Sequence, residues 1–276
     1  MRITGRSSNV SDRRGMGGPL IAGGGIGGLV IVLLVMFLGG DPSEVIQTGP
    51  APGSGPPASG EPDPLANFVS GVLYETEETW ETIFSEQLGR TYEKPTLVLF
   101  TNSTQSACGL GQAAAGPFYC PLDRQIYIDL GFYRELKERF GAPGDAAQAY
   151  VIAHEVGHHV QTLLGISDQV RSEQARARRA EANELSVRQE LQADCFAGVW
   201  ANRAHEERQI LEPGDVEEAM GAAGAIGDDR LQRQAQGHVQ PETFTHGSSE
   251  QRVRWFRRGL ETGQVQACDT FSTARL

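Results

Sequence analysis

The stretch Ala153-His154-Glu155-Val156-Gly157-His158-His159 decides how the rest of this chain is interpreted. It contains the pattern H-E-x-x-H, with two histidines four positions apart. On a helix this spacing places both imidazoles on one face, about one turn apart, so that both can bind one Zn²⁺. Glu155 follows the first histidine directly and is predicted to lie beside the metal, where it can take a proton from water as a general base.

The residues around the motif favour a helix. Residues 146–153 contain neither Pro nor Gly, and Asp145 stands where an N-cap is expected. We predict that His159 is a neighbour of the site and not a ligand, because the next position along a helix points away from the metal face. Gly157 costs a helix about 1 kcal/mol relative to Ala. We therefore expect another element to pack closely against it.

Two histidines do not complete a catalytic zinc site, which needs a third protein ligand and an open fourth position. The other histidines that qualify are His205, His238 and His246, and several carboxylates qualify as well. The metzincin pattern requires a Gly and a His at positions occupied here by Gln161 and Leu164. That class is therefore excluded.

A stronger signal for the third ligand is the segment ELQADCFA at residues 190–197. Glu190 and Asp194 are four positions apart and share one helix face. We predict that Glu190 is the third metal ligand. Asp194, one turn further on, is predicted to accept the N–H of a ligating imidazole and so fix its tautomer. The alternative is an ordinary Glu/Asp pair on a helix surface.

H-E-x-x-H followed by E-x-x-x-D resembles the gluzincin metallopeptidases. A more specific similarity is carried by ACG at 107–109, GPFYCP at 116–121, YIDL at 127–130, HEVGHHVQ at 154–161, ELQADCFA at 190–197 and THGSS at 245–249. These segments resemble the bacterial family of neutral zinc metallopeptidases. The resemblance implies a membrane-anchored, zincin-like domain outside the cytoplasm.

The expected fold is α+β and predominantly helical, with a small sheet. The short apolar runs 96–100 and 125–129 are predicted strands. The second of these is the candidate edge strand for binding a polypeptide substrate, by analogy with zincins. Residues 65–88 and a long stretch from residue 167 or 168 to 208 have helical character. Further helices are expected at 215–225 and 228–236, and after a cap at Ser248 or Ser249.

The N-terminal region predicts a membrane anchor. Residues 1–18 are basic and are assigned to a cytoplasmic leader, while the apolar run 20–38 predicts a transmembrane helix at residues 19–39. A cleavable signal peptide is the competing interpretation. Residues 40–63 are rich in Pro and Gly and predict a linker. Residues 64–276 would then form a metallopeptidase domain in the periplasm or outside the cell.

The four cysteines are consistent with that compartment. We predict a disulfide between Cys108 and Cys120, with thiol ligation of zinc as the alternative. Cys195 and Cys268 either pair with each other or stay free.

The functional hypothesis is a zinc metallopeptidase that hydrolyses extracytoplasmic polypeptides, with Glu155 as the general base. His246 is the first candidate for a donor to the oxyanion of the transition state, and Tyr127 and Tyr150 are alternatives. The alternative function is a zinc-binding envelope protein that scaffolds a partner without proteolysis. A net charge of −11 argues against nucleic acid as a partner. The sequence gives no indication of the oligomeric state.

Overall fold

The computed structural model describes residues 1–15 and 63–276, and these residues form a mostly helical α+β structure. The predicted transmembrane helix and nearly all of the predicted linker lie outside the described residues. The strands are β1 (Val10–Asp12), β2 (Thr96–Phe100), β3 (Ser103–Ser106), β4 (Gly109–Gln112), β5 (Phe118–Cys120) and β6 (Gln125–Asp129). The α-helices are α1 (Pro64–Ile83), α2 (Gly131–Glu138), α3 (Asp145–Leu163), α4 (Ile166–Gln174), α5 (Arg179–Arg208), α6 (Asp215–Ala225), α7 (Asp228–Gln236) and α8 (Ser249–Thr262).

The main sheet has the strand order β1-β2-β6-β5. Strands β1, β2 and β6 are parallel, whereas β5 runs antiparallel to β6. Strands β3 and β4 form a separate antiparallel hairpin. The prediction that residues 125–129 form an edge strand is wrong, because β6 lies between β2 and β5. Its apolar side chains are buried, as expected for a strand with a partner on each side.

The helices surround one hydrophobic core, in which α3 packs against α1, α5 and α6, and α5 packs against α8. The predicted helical stretch ends at residue 208 as expected, but it consists of two helices, because α4 ends at Gln174 and α5 begins at Arg179. The reason for the break is local: the backbone N–H of Arg178 donates to the Glu181 carboxylate and starts a new helix. Ser248 caps α8 as predicted. Asp145 is the first residue of α3, and Gly144 precedes it as the N-cap.

Residues 1–15 pack on the domain, which differs from the predicted separate leader. Strand β1 pairs with β2 in parallel register, with Val10 opposite Leu97 and Asp12 opposite Leu99. Hydrogen-bonded strands must share a compartment. A cytoplasmic leader with the domain outside the cytoplasm is therefore incompatible with this sheet, and residues 1–15 belong to the same folded unit as the domain.

Buried carboxylates on α1 hold this N-terminal segment in place. Glu75 is fully buried, and its Oε1 accepts from the backbone N–H of Thr4 at 2.7 Å and from the Thr4 hydroxyl at 2.6 Å. Glu77 is also buried, and its Oε1 accepts from Ser7 and Asn9, each at 2.8 Å. Burying a carboxylate is costly unless it is hydrogen-bonded. The N-terminal segment therefore supplies partners to both side chains, and Arg208 supplies a further one to Glu75.

Both disulfides are formed, so the predicted Cys108–Cys120 pair is confirmed and Cys195 pairs with Cys268. The first ties the β3–β4 turn to the end of β5, and the second ties α5 to the C-terminal segment. Disulfides persist in oxidising compartments. They indicate an extracytoplasmic location. Within the part of the chain that the structure describes, no helix combines the length and apolar character needed to cross a membrane.

Candidate metal centre

The predicted metal ligands come together from two helices. His154 and His158 lie on α3, and Glu190 lies on α5. The Nε2 atom of His154 is 3.1 Å from Oε2 of Glu190, and Nε2 of His158 is 3.4 Å from Oε1 of the same carboxylate. The donor atoms of the three residues all lie within 4.8 Å of one another. Two imidazole nitrogens and one carboxylate oxygen form the His₂Glu donor set of many catalytic zinc sites, so these residues fit Zn²⁺.

Gly157 allows the two ligand helices to approach each other. A Cβ atom at this position would lie 2.9 Å from the carbonyl oxygen and 3.0 Å from the Cα of Ala193 on α5. These distances are too short for any side chain at position 157. The predicted close packing against Gly157 is thus confirmed, and the element that packs there is the helix that carries the third ligand.

His154 is held by a charged network on the side away from Glu190. Its Nδ1–H donates to Oδ1 of Asp194 at 2.8 Å, which is the contact predicted for Asp194. Tyr150 also donates to this oxygen, at 2.5 Å, and Arg252 contacts both carboxylate oxygens of Asp194, at 2.8 and 2.9 Å. Because Nδ1 carries the proton, the lone pair of Nε2 is directed to the metal position.

The charges of this network are set by burial and by its ion pairs. Burial by itself raises the pKa of Asp194, but Arg252 and His154 lower it overall. Burial likewise raises the pKa of Glu190, yet the two histidines bring it well below its ordinary value. Both carboxylates are therefore anionic, and Glu190 supplies negative charge at a position where a cation would bind.

Glu155 lies next to the donor set without belonging to it. Its side chain is only 7 % exposed. Burial raises its pKa, and the neighbouring charges of His154 and His158 offset this in part. A carboxyl with a raised pKa accepts a proton more readily at neutral pH than a solvated one does. The buried Tyr133 on α2 is close enough for the charge of Glu155 to add to burial in raising the pKa of its hydroxyl.

His246 lies on the loop before α8, close enough to the metal centre for the charge of Glu190 to affect its pKa. Asp228 organises this loop: its Oδ2 accepts from the backbone N–H groups of Thr245, His246 and Gly247 at 2.7, 2.7 and 3.1 Å. Nδ1 of His246 is 3.2 Å from Oδ1 of Asp228. Desolvation lowers the pKa of His246, but the contact with Asp228 and the charge of Glu190 raise it overall.

The other predicted candidates have partners outside the donor set. His205 accepts from the backbone N–H of Leu211 near the end of α5, and His238 contacts its neighbours in an exposed loop. The two tyrosines suggested as oxyanion donors have other partners. Tyr127 donates to Asp123, and Tyr150 donates to Asp194. In this structure the hydroxyl protons of both tyrosines are therefore already engaged.

His159 connects α3 to β5, and both of its ring nitrogens have partners outside the donor set. Its Nε2–H donates to the backbone carbonyl of Glu93 at 2.6 Å, and the Tyr119 hydroxyl donates to its Nδ1 at 3.1 Å. Burial lowers the pKa of His159 to about 4, so the ring is neutral. The side chain thereby fixes strand β5 beside the metal-binding helix.

Sequence reasoning missed Arg252 and the partners of His158. Arg252 is a single charged residue in a helix that also contains Arg254, Arg257 and Arg258, so no local pattern distinguishes it. It is only 2 % exposed, because α8 packs across α5 at Asp194. Nδ1 of His158 contacts Oε1 of Gln161 at 2.9 Å. The i,i+3 spacing of these two residues was the one available signal for this contact.

The site has the architecture of a zinc-dependent hydrolase: two histidines from one helix, a carboxylate from a second, and a buried carboxyl beside them. The family described as "Putative neutral zinc metallopeptidase" matches residues 1–271, and the chain belongs to this family. It is 50 % identical to "Uncharacterized protein YpfJ" of Escherichia coli (strain K12) over 285 aligned residues, covering 98 % of this chain and 99 % of the relative.

A second relative is "Uncharacterized protein Rv2575" of Mycobacterium tuberculosis (strain ATCC 25618 / H37Rv). It is 40 % identical over 258 residues, covering 87 % of this chain and 86 % of that protein. No solved structure is significantly similar to the chain.

Proposed function

We propose that this protein is a zinc-dependent endopeptidase that hydrolyses extracytoplasmic polypeptides. The observation that carries the proposal is the convergence of His154, His158 and Glu190 beside a buried carboxyl that is not one of the donors. A purely structural zinc site has four protein ligands and needs no adjacent base. Family membership and the two disulfides are consistent with this chemistry and this compartment.

Glu155 acts as the general base and then as the general acid. When bound at the three donors, zinc supplies Lewis acidity and lowers the pKa of water. Glu155 removes a proton from the attacking water and delivers it to the leaving amine. Its buried position suits both steps, because a raised pKa brings the carboxyl closer to the acidity of its proton partners.

His246 is our candidate for stabilising the oxyanion that develops on the scissile carbonyl. In this assignment the ring is protonated on both nitrogens. Its Nδ1–H donates a hydrogen bond to Asp228, and its Nε2–H is left to donate to the oxyanion. The raised pKa of His246 favours that protonated state. The side chain is 51 % exposed, so it is accessible to a substrate.

Strand β5 is the candidate surface for the substrate backbone, in place of the β6 segment that the sequence suggested. In the described sheet β5 has a strand neighbour on one side only, and Tyr119 and His159 join it to α3. An extended peptide can add to such an edge through backbone hydrogen bonds. We propose that the apolar stretch at residues 19–39 attaches the protein to the membrane without a single crossing, because residues 1–15 and the domain share one sheet.

The variant Glu155→Gln tests the proposal. We expect both the variant and the wild type to bind one zinc per chain, and only the variant to lose cleavage of labelled casein. Removing a general base typically costs about 10²- to 10⁴-fold in rate. Zinc content by mass spectrometry and the rate of peptide release are the two measurements. Glu173→Gln, at an exposed position on α4, is the matched control.

Two results would contradict the proposal: a wild-type protein that contains no zinc after purification without chelators, or full cleavage by Glu155→Gln. A wild type that binds zinc and cleaves no polypeptide would support the alternative function, a zinc-binding envelope protein that holds a partner.

A further inference from the structure

A chain of hydrogen bonds leads from the second histidine of the metal centre to the C-terminal segment. His158 is the ligand without a charged partner at its Nδ1 atom, which contacts Oε1 of Gln161 at 2.9 Å. Gln161 lies one turn further along α3 and is fully buried. The two ligating histidines are thus supported differently, His154 by a carboxylate and His158 by a neutral amide.

The orientation of the Gln161 amide follows from its other contacts. Its Nε2 donates to the backbone carbonyl of Gln189 at 2.7 Å and to Oε1 of Gln192 at 3.1 Å. Flipping the amide would place an oxygen against the Gln189 carbonyl, which has no proton to give. The amide oxygen must therefore face His158. It follows that His158 carries its proton on Nδ1 and directs the lone pair of Nε2 to the metal position.

Gln192 extends the chain of hydrogen bonds to the backbone of Cys268, a residue held in place by a disulfide. Its Nε2 donates to the backbone carbonyl of Cys268 at 3.0 Å. Cys268 is joined by a disulfide to Cys195, on the same helix that carries Glu190. Gln192 is 6 % exposed, so water competes little for these bonds. The end of the hydrogen-bond chain at Cys268 is consequently fixed relative to α5.

We propose that Gln161 and Gln192 are positioning residues that fix the tautomer and ring plane of His158 for metal binding. Neither side chain touches the metal position itself; they act through His158. The inference rests on the proposed function to the extent that His158 is a zinc ligand. Loss of such an outer partner typically weakens metal binding by about 10- to 100-fold.

The test is zinc affinity, measured with a competing fluorescent chelator on wild type, Gln161→Leu and Gln192→Glu. The first variant offers no acceptor to His158, and we expect its Kd to rise by about 10- to 100-fold. The carboxylate introduced by Gln192→Glu still accepts from Gln161 but cannot donate to the Cys268 carbonyl, so we expect a smaller increase in Kd. The matched control is Gln148→Leu, which lies on the same helix outside the chain of hydrogen bonds.

The melting temperature of each metal-free protein separates positioning from general destabilisation. A raised Kd in Gln161→Leu, with a melting temperature within a few degrees of the Gln148→Leu control, supports the inference. If Gln161→Leu does not fold, a raised zinc Kd in Gln192→Glu, with a melting temperature close to that of the control, supports the inference instead. A Kd equal to that of the wild type overturns the inference and leaves the proposed function intact. A wild type that binds no zinc overturns the proposed function first.

Discussion

The metal centre and the site that binds the N-terminal segment are both built around buried glutamates, but with opposite kinds of neighbour. Glu190 faces the Nε2 atoms of two histidines whose Nδ1 atoms contact Asp194 and Gln161, so the deprotonated rings can share a bound cation with it. Glu75 faces a backbone N–H, a hydroxyl and the guanidinium of Arg208, all of which donate. A bound cation would balance the charge of Glu190 and its two imidazoles, whereas the carboxylate of Glu75 already has hydrogen-bond donors and a guanidinium around it.

The comparison teaches that a buried carboxylate by itself does not identify a metal site. The deciding feature is whether its neighbours can themselves bind a metal ion, as imidazoles can, or can only donate hydrogen bonds. At the N-terminal site the donors come from residues 1–15 and from α5, so the carboxylates hold a strand in the sheet. At the candidate metal centre the neighbours are imidazoles, which can bind the same metal ion as Glu190.

The largest expected difference between the two sites is in zinc binding. Glu190→Ala removes a ligand, and we expect a loss of zinc affinity beyond the about 10- to 100-fold typical of losing an outer partner. Glu75→Ala should leave zinc affinity unchanged. It should instead lower the free energy of unfolding by about 2 kcal/mol, because Thr4 and Arg208 lose their acceptor. Isothermal titration and urea denaturation of both variants measure the two effects, and zinc loss in Glu75→Ala would contradict the comparison.

A cysteine pair tests whether the N-terminal segment occupies its site in the intact protein. A Cβ atom at Gly71 would lie 3.3 Å from Cβ of Ile3, close to the separation in disulfides. We expect Ile3→Cys/Gly71→Cys to cross-link in the oxidising compartment. The four native cysteines are already paired and do not compete.

With a protease site inserted between residues 40 and 62, the cross-linked N-terminal fragment should stay attached until it is reduced. Ser8→Cys/Gly71→Cys is the control, since Ser8 is exposed on the same segment. One result would support the interpretation of residues 1–15 as a cytoplasmic leader. In that result the thiol introduced by Ile3→Cys forms no cross-link, and an impermeant thiol reagent reaches it only after cell lysis.

The smallest expected effect is in the pH dependence of stability at Glu77. Burial raises the pKa of Glu77, and its hydrogen bonds from Asn9 and Ser7 offset this in part. A raised carboxyl pKa means that the folded state binds the proton more tightly than the unfolded state. Stability from this group is therefore present below the unfolded pKa and is lost as the pH rises through the folded pKa.

Glu77→Gln should remove this dependence while keeping an acceptor for Ser7 and Asn9. We expect the difference in unfolding free energy between variant and wild type to increase as the pH is raised from about 4 to about 7, the range above the ordinary carboxyl pKa. Thermal denaturation across this range measures it. A difference that is constant with pH would show that Glu77 is not desolvated, as expected if the N-terminal segment does not cover it.

Short-range patterns in the sequence were sufficient for most of the metal centre. The i,i+4 spacing of His154 and His158, and of Glu190 and Asp194, fixes which side chains share a helix face. The strands at residues 96–100 and 125–129 and the cap at Ser248 follow equally from adjacent residues. The assignment of Cys108 to Cys120 rested on a short loop and the compartment. Each of these features depends on residues close together in the chain.

The tertiary structure decided the features that join distant segments. Strand β1 pairs with a strand far later in the chain, and its basic surroundings resemble a membrane leader when considered alone. The place of β6 inside the sheet, the contact of Arg252 with Asp194, and the chain from His158 to Cys268 are equally non-local. The periodicity of one helix or strand gives the direction of its side chains but not the element that it meets. The sequence by itself therefore determined the metal-binding chemistry, whereas only tertiary packing decided what supports it and that residues 1–15 belong to the sheet of the domain.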